Sequence, residues 1–172
     1  ERFGDEPFAL LLPDMLIQNE HGCLAQMIEA SHAIGKSANV IAVEEVPKDR
    51  VHMYGVVGVG EKKGKLFGIT EMVEKPPAAK APSNLIITGR YILQPEIFGV
   101  LASQNRGAGG EIQLTDAMIE LAKKQPFYGL KFEGQSFDCG SKIGFLSANI
   151  AYALERDDLG PALRAEIKKL VG

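Results

Sequence analysis

Four short stretches carry residue types that could do chemistry. Leu10-Leu11-Leu12-Pro13-Asp14 ends an apolar run on a carboxylate. In open parallel sheets, ligands bind outside the carboxyl ends of strands. A carboxylate there can hold a hard cation such as Mg²⁺, leaving waters and phosphates for the other positions. Pro-Asp is also an ordinary way to start a turn. In Val73-Glu74-Lys75-Pro76 an acid and a base are adjacent. Side chains of an extended segment alternate faces, but twist at a strand end could aim both at one ligand. Glu74 would accept hydrogen bonds from hydroxyls, and Lys75 would meet a phosphate as a point charge. A solvated strand end is the plainer alternative. Asp138, in Phe137-Asp138-Cys139-Gly140-Ser141, offers a second metal carboxylate or a turn cap. Gly55, in Tyr54-Gly55-Val56-Val57, would let a ligand approach the backbone closely, or mark a bulge. No Ser/His/Asp set and no covalent nucleophile is suggested. Together these residues suit metal-assisted phosphoryl or nucleotidyl transfer, and they do not name the substrate.

The elements that would position them follow from the apolar pattern. Residues 8–12 read as a short buried strand, and Leu24, Met27, Ile28 and Ile34 recur at near-helical spacing up to a stop at Gly35. Residues 38–44 form a second buried strand. Strand, helix, strand builds parallel sheets through a right-handed crossover. Two β-rich runs, 54–60 and 66–74, flank a polar glycine-containing turn and predict a hairpin. Gly58 and Gly60 are not a nucleotide loop, because no helix follows to receive a pyrophosphate. Residues 76–82 connect to a strand over 84–93, and Pro95 suits the first turn of a helix to about 103. Thr115 is expected to cap a helix through Lys124, with Asp116 favourable to its dipole. Residues 127–134 read as a strand and 137–140 as a tight turn. Ser141 then caps a helix to about Asp157, and Gly160-Pro161 opens a final one.

Size and composition fit one domain, residues 1–172, with a substantial core. Apolar residues make up 45% and charged residues 24%, with a formal net charge of −3. That balance argues against a nucleic-acid or anionic-membrane partner, which would call for a basic face. No apolar run approaches the ~20 residues of a membrane helix. Cys23 and Cys139 match no zinc or redox spacing, and free thiols in a reducing cytoplasm are expected. His21, His32 and His52 form no ligand cluster.

LLLPD, YGVV, VEKP with SNLIITGRYIL, GEIQLTD and DCG occur in a fixed order. Each is weak alone. The ordered set, from about Asp5 to Val171, resembles the bacterial UTP–glucose-1-phosphate uridylyltransferases within the sugar-nucleotidyltransferase family. The resemblance implies a Rossmann-like α/β fold of the GT-A kind, with helices on both faces of a mixed sheet and a small β subregion for the sugar. It implies that glucose 1-phosphate attacks the α-phosphate of UTP, giving UDP-glucose and pyrophosphate with Mg²⁺ as cofactor, in the cytoplasmic synthesis of nucleotide sugars and polysaccharides. Asp14 matches the metal-binding aspartate and Asp138 the second metal carboxylate of related enzymes. Glu74 matches the glutamate that binds glucose hydroxyls, Lys75 the lysine on the sugar phosphate, and Gly55 the glycine whose backbone faces the sugar. Lys75 and Asp14 would be the catalytic pair.

One departure is large. Family members open on a glycine-rich G-x-G-T-R-x-x-P loop and a lysine-containing segment that bind the nucleotide, and these 172 residues hold neither. The chain therefore reads as a C-terminal fragment without its N-terminal strands, lacking turnover by itself. An unpaired sheet edge would favour homo-oligomers. Thymidylyl transfer to glucose 1-phosphate is the nearest rival activity. A non-catalytic sugar-nucleotide-binding or assembly module is the rival of another class.

Overall fold

The computed structural model describes residues 4–35, 37–104 and 112–172. They form two compact units. The first comprises Glu1–Leu11 and Cys23–Glu133, and the second Leu12–Gly22 and Gly134–Gly172.

The first unit begins with strand β1 (Phe8–Leu11), and β2 (Met15–Gln18) belongs to the second. Helix α1 (Cys23–Ile34) ends at Gly35, whose φ of +105° closes the last turn with its N–H on the Ser31 carbonyl oxygen, 3.1 Å away. Strand β3 (Asn39–Glu45) follows. After a 3₁₀ turn come the hairpin strands β4 (Gly55–Lys63) and β5 (Leu66–Glu74), then β6 (Leu85–Leu93), helices α2 (Glu96–Ser103) and α3 (Leu114–Ala122), and β7 (Phe127–Lys131). The six strands make one sheet in the order β1-β6-β3-β7-β5-β4, and β4 also meets β6 at Val56 and Ile86. Among the described residues only β3 and β7 pair in parallel; the other pairings are antiparallel.

Val40, Ile41, Ala42 and Val43 are all fully buried. That is why residues 38–44 read as a continuous apolar run: β3 lies mid-sheet and is covered on both faces. Ile41, Val43, Val57, Phe67, Tyr91 and Leu93 meet Ile97 of α2 and Ala117, Met118 and Leu121 of α3 in one core.

Three expectations are corrected. Residues 8–12 are not a buried strand. β1 sits at the sheet edge against β6 alone, so Phe8 and Leu10 pack on the core while Leu11 is 46% exposed. The crossover from β1 through α1 to β3 does not make β1 and β3 neighbours, because antiparallel β6 lies between them. Phe137 and Asp138 are not in a turn. They end strand β8 (Gln135–Asp138), which pairs antiparallel with β2 from Met15↔Asp138 to Gln18↔Gln135. The hairpin at β4 and β5 stands as expected. A Cβ on Gly58 would collide with the Thr70 and Glu71 side chains, and one on Gly60 would lie 2.9 Å from the Gly68 carbonyl oxygen. These glycines serve a close strand approach rather than a phosphate.

The second unit builds on the β2–β8 ladder. Helix α4 (Lys142–Leu154) follows it, and α5 (Gly160–Val171) closes the chain. Ser141 caps α4 as expected: its Oγ accepts from the Gly144 N–H over 3.0 Å. The helix stops at Leu154 rather than near Asp157. Beyond it, Arg156 donates from Nε and Nη2 to Asp158 at 2.8 and 2.6 Å. Residues two apart do not face each other on a helix, so this two-pronged pair belongs to the turn.

Candidate functional site

Two groups of candidate residues are built, one in each unit. In the first unit, Glu74 is the last residue of β5 and pairs with Gly55, the first of β4. Lys75 leaves the strand with φ +46°, a left-handed conformation taken by no other non-glycine among the described residues. Such backbone costs about 1–2 kcal/mol for a residue with a Cβ. Two features hold it there. The Lys75 N–H donates to the Tyr54 carbonyl oxygen over 3.0 Å, and Pro76 beyond it is buried. The left-handed turn cancels the alternation of a strand. The Lys75 Nζ comes within 3.9 Å of the Glu74 Oε1, with the two side chains 65% and 40% exposed. An acid and a base adjacent in sequence thus present their polar ends together on an open surface.

Glu74 has a further partner that sequence reading missed. Its Oε2 accepts from the Thr115 hydroxyl over 3.0 Å. Thr115 does not cap α3: the helix starts two residues earlier than that role requires, at Leu114 behind Gln113, and no side chain caps it. The hydroxyl is used on Glu74 instead. Gly55 completes the arrangement. A Cβ there would lie 3.1 Å from the Glu74 Oε2 and 3.1 Å from Ile87 Cδ1, so any side chain at position 55 would press on the carboxylate. No sequence signal linked Thr115 to Glu74, because their contact joins a helix start to a distant strand end.

In the second unit, Asp14 lies in the turn before β2 and Asp138 ends β8. The Cys139 N–H donates to the Asp14 carbonyl oxygen over 2.7 Å, extending the ladder past its last strand pair. Asp138 is held three times. Its Oδ1 accepts from the Gly140 N–H at 3.0 Å, and its carbonyl oxygen accepts from the Ser141 N–H at 3.2 Å and the Ser141 Oγ at 3.0 Å. The two carboxylates flank Gly140: the point where a Cβ would stand is 3.0 Å from Asp138 Oδ1 and 3.7 Å from Asp14 Oδ2. Glycine keeps the space between them open. A hard divalent cation takes oxygen ligands and retains waters or phosphates, and two carboxylates of this kind fit that demand. Among the described residues no group of three or more His, Cys, Asp or Glu is arranged to hold a metal alone.

The smaller β element, the β2–β8 ladder, therefore bears the two aspartates, whereas Gly55, Glu74 and Lys75 sit on the large sheet. Cys23, the first residue of α1, is buried, and that burial pushes its thiol up to about 11, with the Arg90 charge pulling the other way. That is the opposite of an activated nucleophile.

Comparison with known proteins places the chain in a class. A model of the nucleotidyl transferase family matches residues 1–155, running through both units, and the chain belongs to that family. More particularly, it is 46% identical over 167 residues to a UTP–glucose-1-phosphate uridylyltransferase 2 of Staphylococcus saprophyticus subsp. saprophyticus, covering 97% of this chain and 57% of the relative. A UDP-glucose pyrophosphorylase solved in complex with UDP-glucose superposes with a TM-score of 0.82 at 38% identity, over 90% of this chain and 59% of that one. The UTP-bound enzyme from Acinetobacter baumannii gives 0.81 at 38% identity, over 99% and 57%. The chain thus spans a little over half the length of the proteins it resembles. The mixed α/β sheet with flanking helices is a nucleotidyltransferase fold.

Proposed function

We propose that this chain carries the sugar-phosphate and metal residues of a uridylyltransferase that converts UTP and glucose 1-phosphate to UDP-glucose and pyrophosphate. The observation that carries the reading is the left-handed turn at Lys75, which sets an ammonium 3.9 Å from a carboxylate at one strand end. A sugar 1-phosphate needs that pair: acceptors for its hydroxyls and a cation for its phosphate. The names of the relatives at 38–46% identity support uridylyl transfer over other nucleotidyl transfers.

In this reading Glu74 accepts hydrogen bonds from the sugar hydroxyls, with Gly55 leaving room beside it. Lys75 neutralises the sugar phosphate and orients its oxygen toward the α-phosphorus of UTP. That oxygen forms the new P–O bond as the bond to pyrophosphate breaks. Alignment and charge neutralisation supply most of what such a reaction needs. Asp14 and Asp138 would hold Mg²⁺, which when bound neutralises phosphate charge.

No helix among the described residues is long and apolar enough to cross a membrane. Both cysteines are free, which agrees with a reducing cytoplasm as the working compartment and with a role in supplying UDP-glucose for polysaccharide synthesis. Exposed Ile143, Phe145 and Leu146 on α4, and Leu170 and Val171 on α5, support self-association into homo-oligomers.

The test is product analysis with the full-length protein and Mg²⁺. UDP-glucose and pyrophosphate from UTP and glucose 1-phosphate, with dTTP a poorer donor, is the expected result. A preference for dTTP would replace the reading with thymidylyl transfer. Ligand binding without any product would replace it with a binding module.

A further inference from the structure

We infer that Thr115 is a positioning residue that decides which oxygen of Glu74 is offered to the sugar. The inference rests on the reading of Glu74 as the sugar ligand. The Glu74 Oε2 accepts from the Thr115 Oγ1 over 3.0 Å, and the missing Cβ of Gly55 leaves just enough space beside the same oxygen. Oε1 is left facing the Lys75 ammonium. One oxygen is thereby anchored from behind, and the other is presented beside the cation.

Thr115 is suited to this task by where it sits. It lies in the first turn of α3, which packs against β5 and is fixed by the fully buried Ala117 and Met118 and the nearly buried Leu121. A threonine inside a helix commonly turns its hydroxyl back to a carbonyl of the preceding turn. Here the single hydroxyl proton goes to Glu74 instead. The β-branched side chain has few rotamers, so the helix transmits a fixed direction to the carboxylate. Without that donor, a glutamate at an exposed strand end would sample several rotamers, and a sugar would have to select one of them.

The role predicts a split in kinetics. In the full-length protein, Thr115→Val keeps the shape and removes the donor. The KM for glucose 1-phosphate should rise about tenfold, the worth of one hydrogen bond to a charged group. The KM for UTP should stay within about twofold, and the melting temperature near that of the parent. Thr115→Ser restores the donor and should return the sugar-phosphate KM to within about threefold, well below the valine variant. An unchanged KM in Thr115→Val, or a serine variant as impaired as the valine one, would overturn the role. Should valine not fold, Thr115→Ala serves in its place. If the parent protein forms no UDP-glucose, the functional reading fails separately. Crystal structures of parent and Thr115→Val then decide the positioning claim: Glu74 should leave its present rotamer in the variant, and an unmoved carboxylate contradicts it.

Discussion

The Cys139 amide donates to the Asp14 carbonyl oxygen over 2.7 Å, tying together two carboxylate-bearing segments that lie far apart in sequence. The bond is made by backbone, not side chains. Asp14 and Asp138 are thus positioned by the β2–β8 ladder while the Asp14 carboxylate stays exposed.

Because its backbone alone is structural, Asp14 can be altered with little loss of fold. Asp14→Asn in the full-length protein should lower Mg²⁺-dependent turnover about 10²-fold or more. Its unfolding free energy should stay within about 0.5 kcal/mol of the parent. Turnover and chemical denaturation on the same samples check both halves. Unaltered kinetics would remove Asp14 from the site.

Asp138 depends on small residues around it. A Cβ on Gly144 would run into the Asp138 carbonyl oxygen and stand 2.8 Å from the Ser141 Oγ. Gly144→Ala should therefore destabilise the protein by about 1–3 kcal/mol. Ser141→Ala, which removes only the cap, should cost about 0.5–2 kcal/mol. Denaturation midpoints measure both, and a neutral Gly144→Ala would show that β8 and α4 are less tightly joined than described.

The left-handed turn at Lys75 makes a stability prediction independent of catalysis. Lys75→Ala and Lys75→Gly both delete the ammonium, but only glycine takes φ +46° without strain. The glycine variant should be the more stable by about 1 kcal/mol. Equal stabilities would mean that the turn relaxes once the side chain is gone.

The two thiols should differ in reactivity. The Cys23 thiol is held at about 11, above its ordinary 9.0, by burial. Near pH 8 one thiol per native chain should react with a maleimide, at Cys139, and two after denaturation. The sign for stability follows. The folded state keeps the Cys23 proton more tightly than the unfolded chain, so this contribution is fully present below pH 9 and is lost as pH rises toward 11. Equal labelling rates for the two thiols would contradict the burial of Cys23.

Much of the fold was legible because it is local. The buried run of β3, the glycine stop after α1, the hairpin and the Ser141 cap are each set by neighbours in sequence. Pairing across the chain was not legible. β2 has four residues with no distinctive period, and its partner β8 lies beyond the long Cys23–Glu133 segment of the first unit, so Phe137-Asp138 read as a turn. β1 read as buried because an apolar run does not reveal that its strand stands at an edge. Among the candidate residues, Glu74, Lys75 and Gly55 were singled out by residue type and motif order. Strand-end twist was the expected way for an acid and a base on opposite faces to converge; the left-handed φ at Lys75 does it instead. Thr115 carried a helix-cap signal that its tertiary contact with Glu74 overrode.

The proposed function requires Glu74 and Lys75 to meet one sugar phosphate. Its most direct test is the KM for glucose 1-phosphate of Lys75→Ala in the full-length protein. That KM should rise at least about tenfold, as expected for losing a charge-assisted contact to phosphate, with the KM for UTP near that of the parent. A sugar-phosphate KM equal to that of the parent would contradict it.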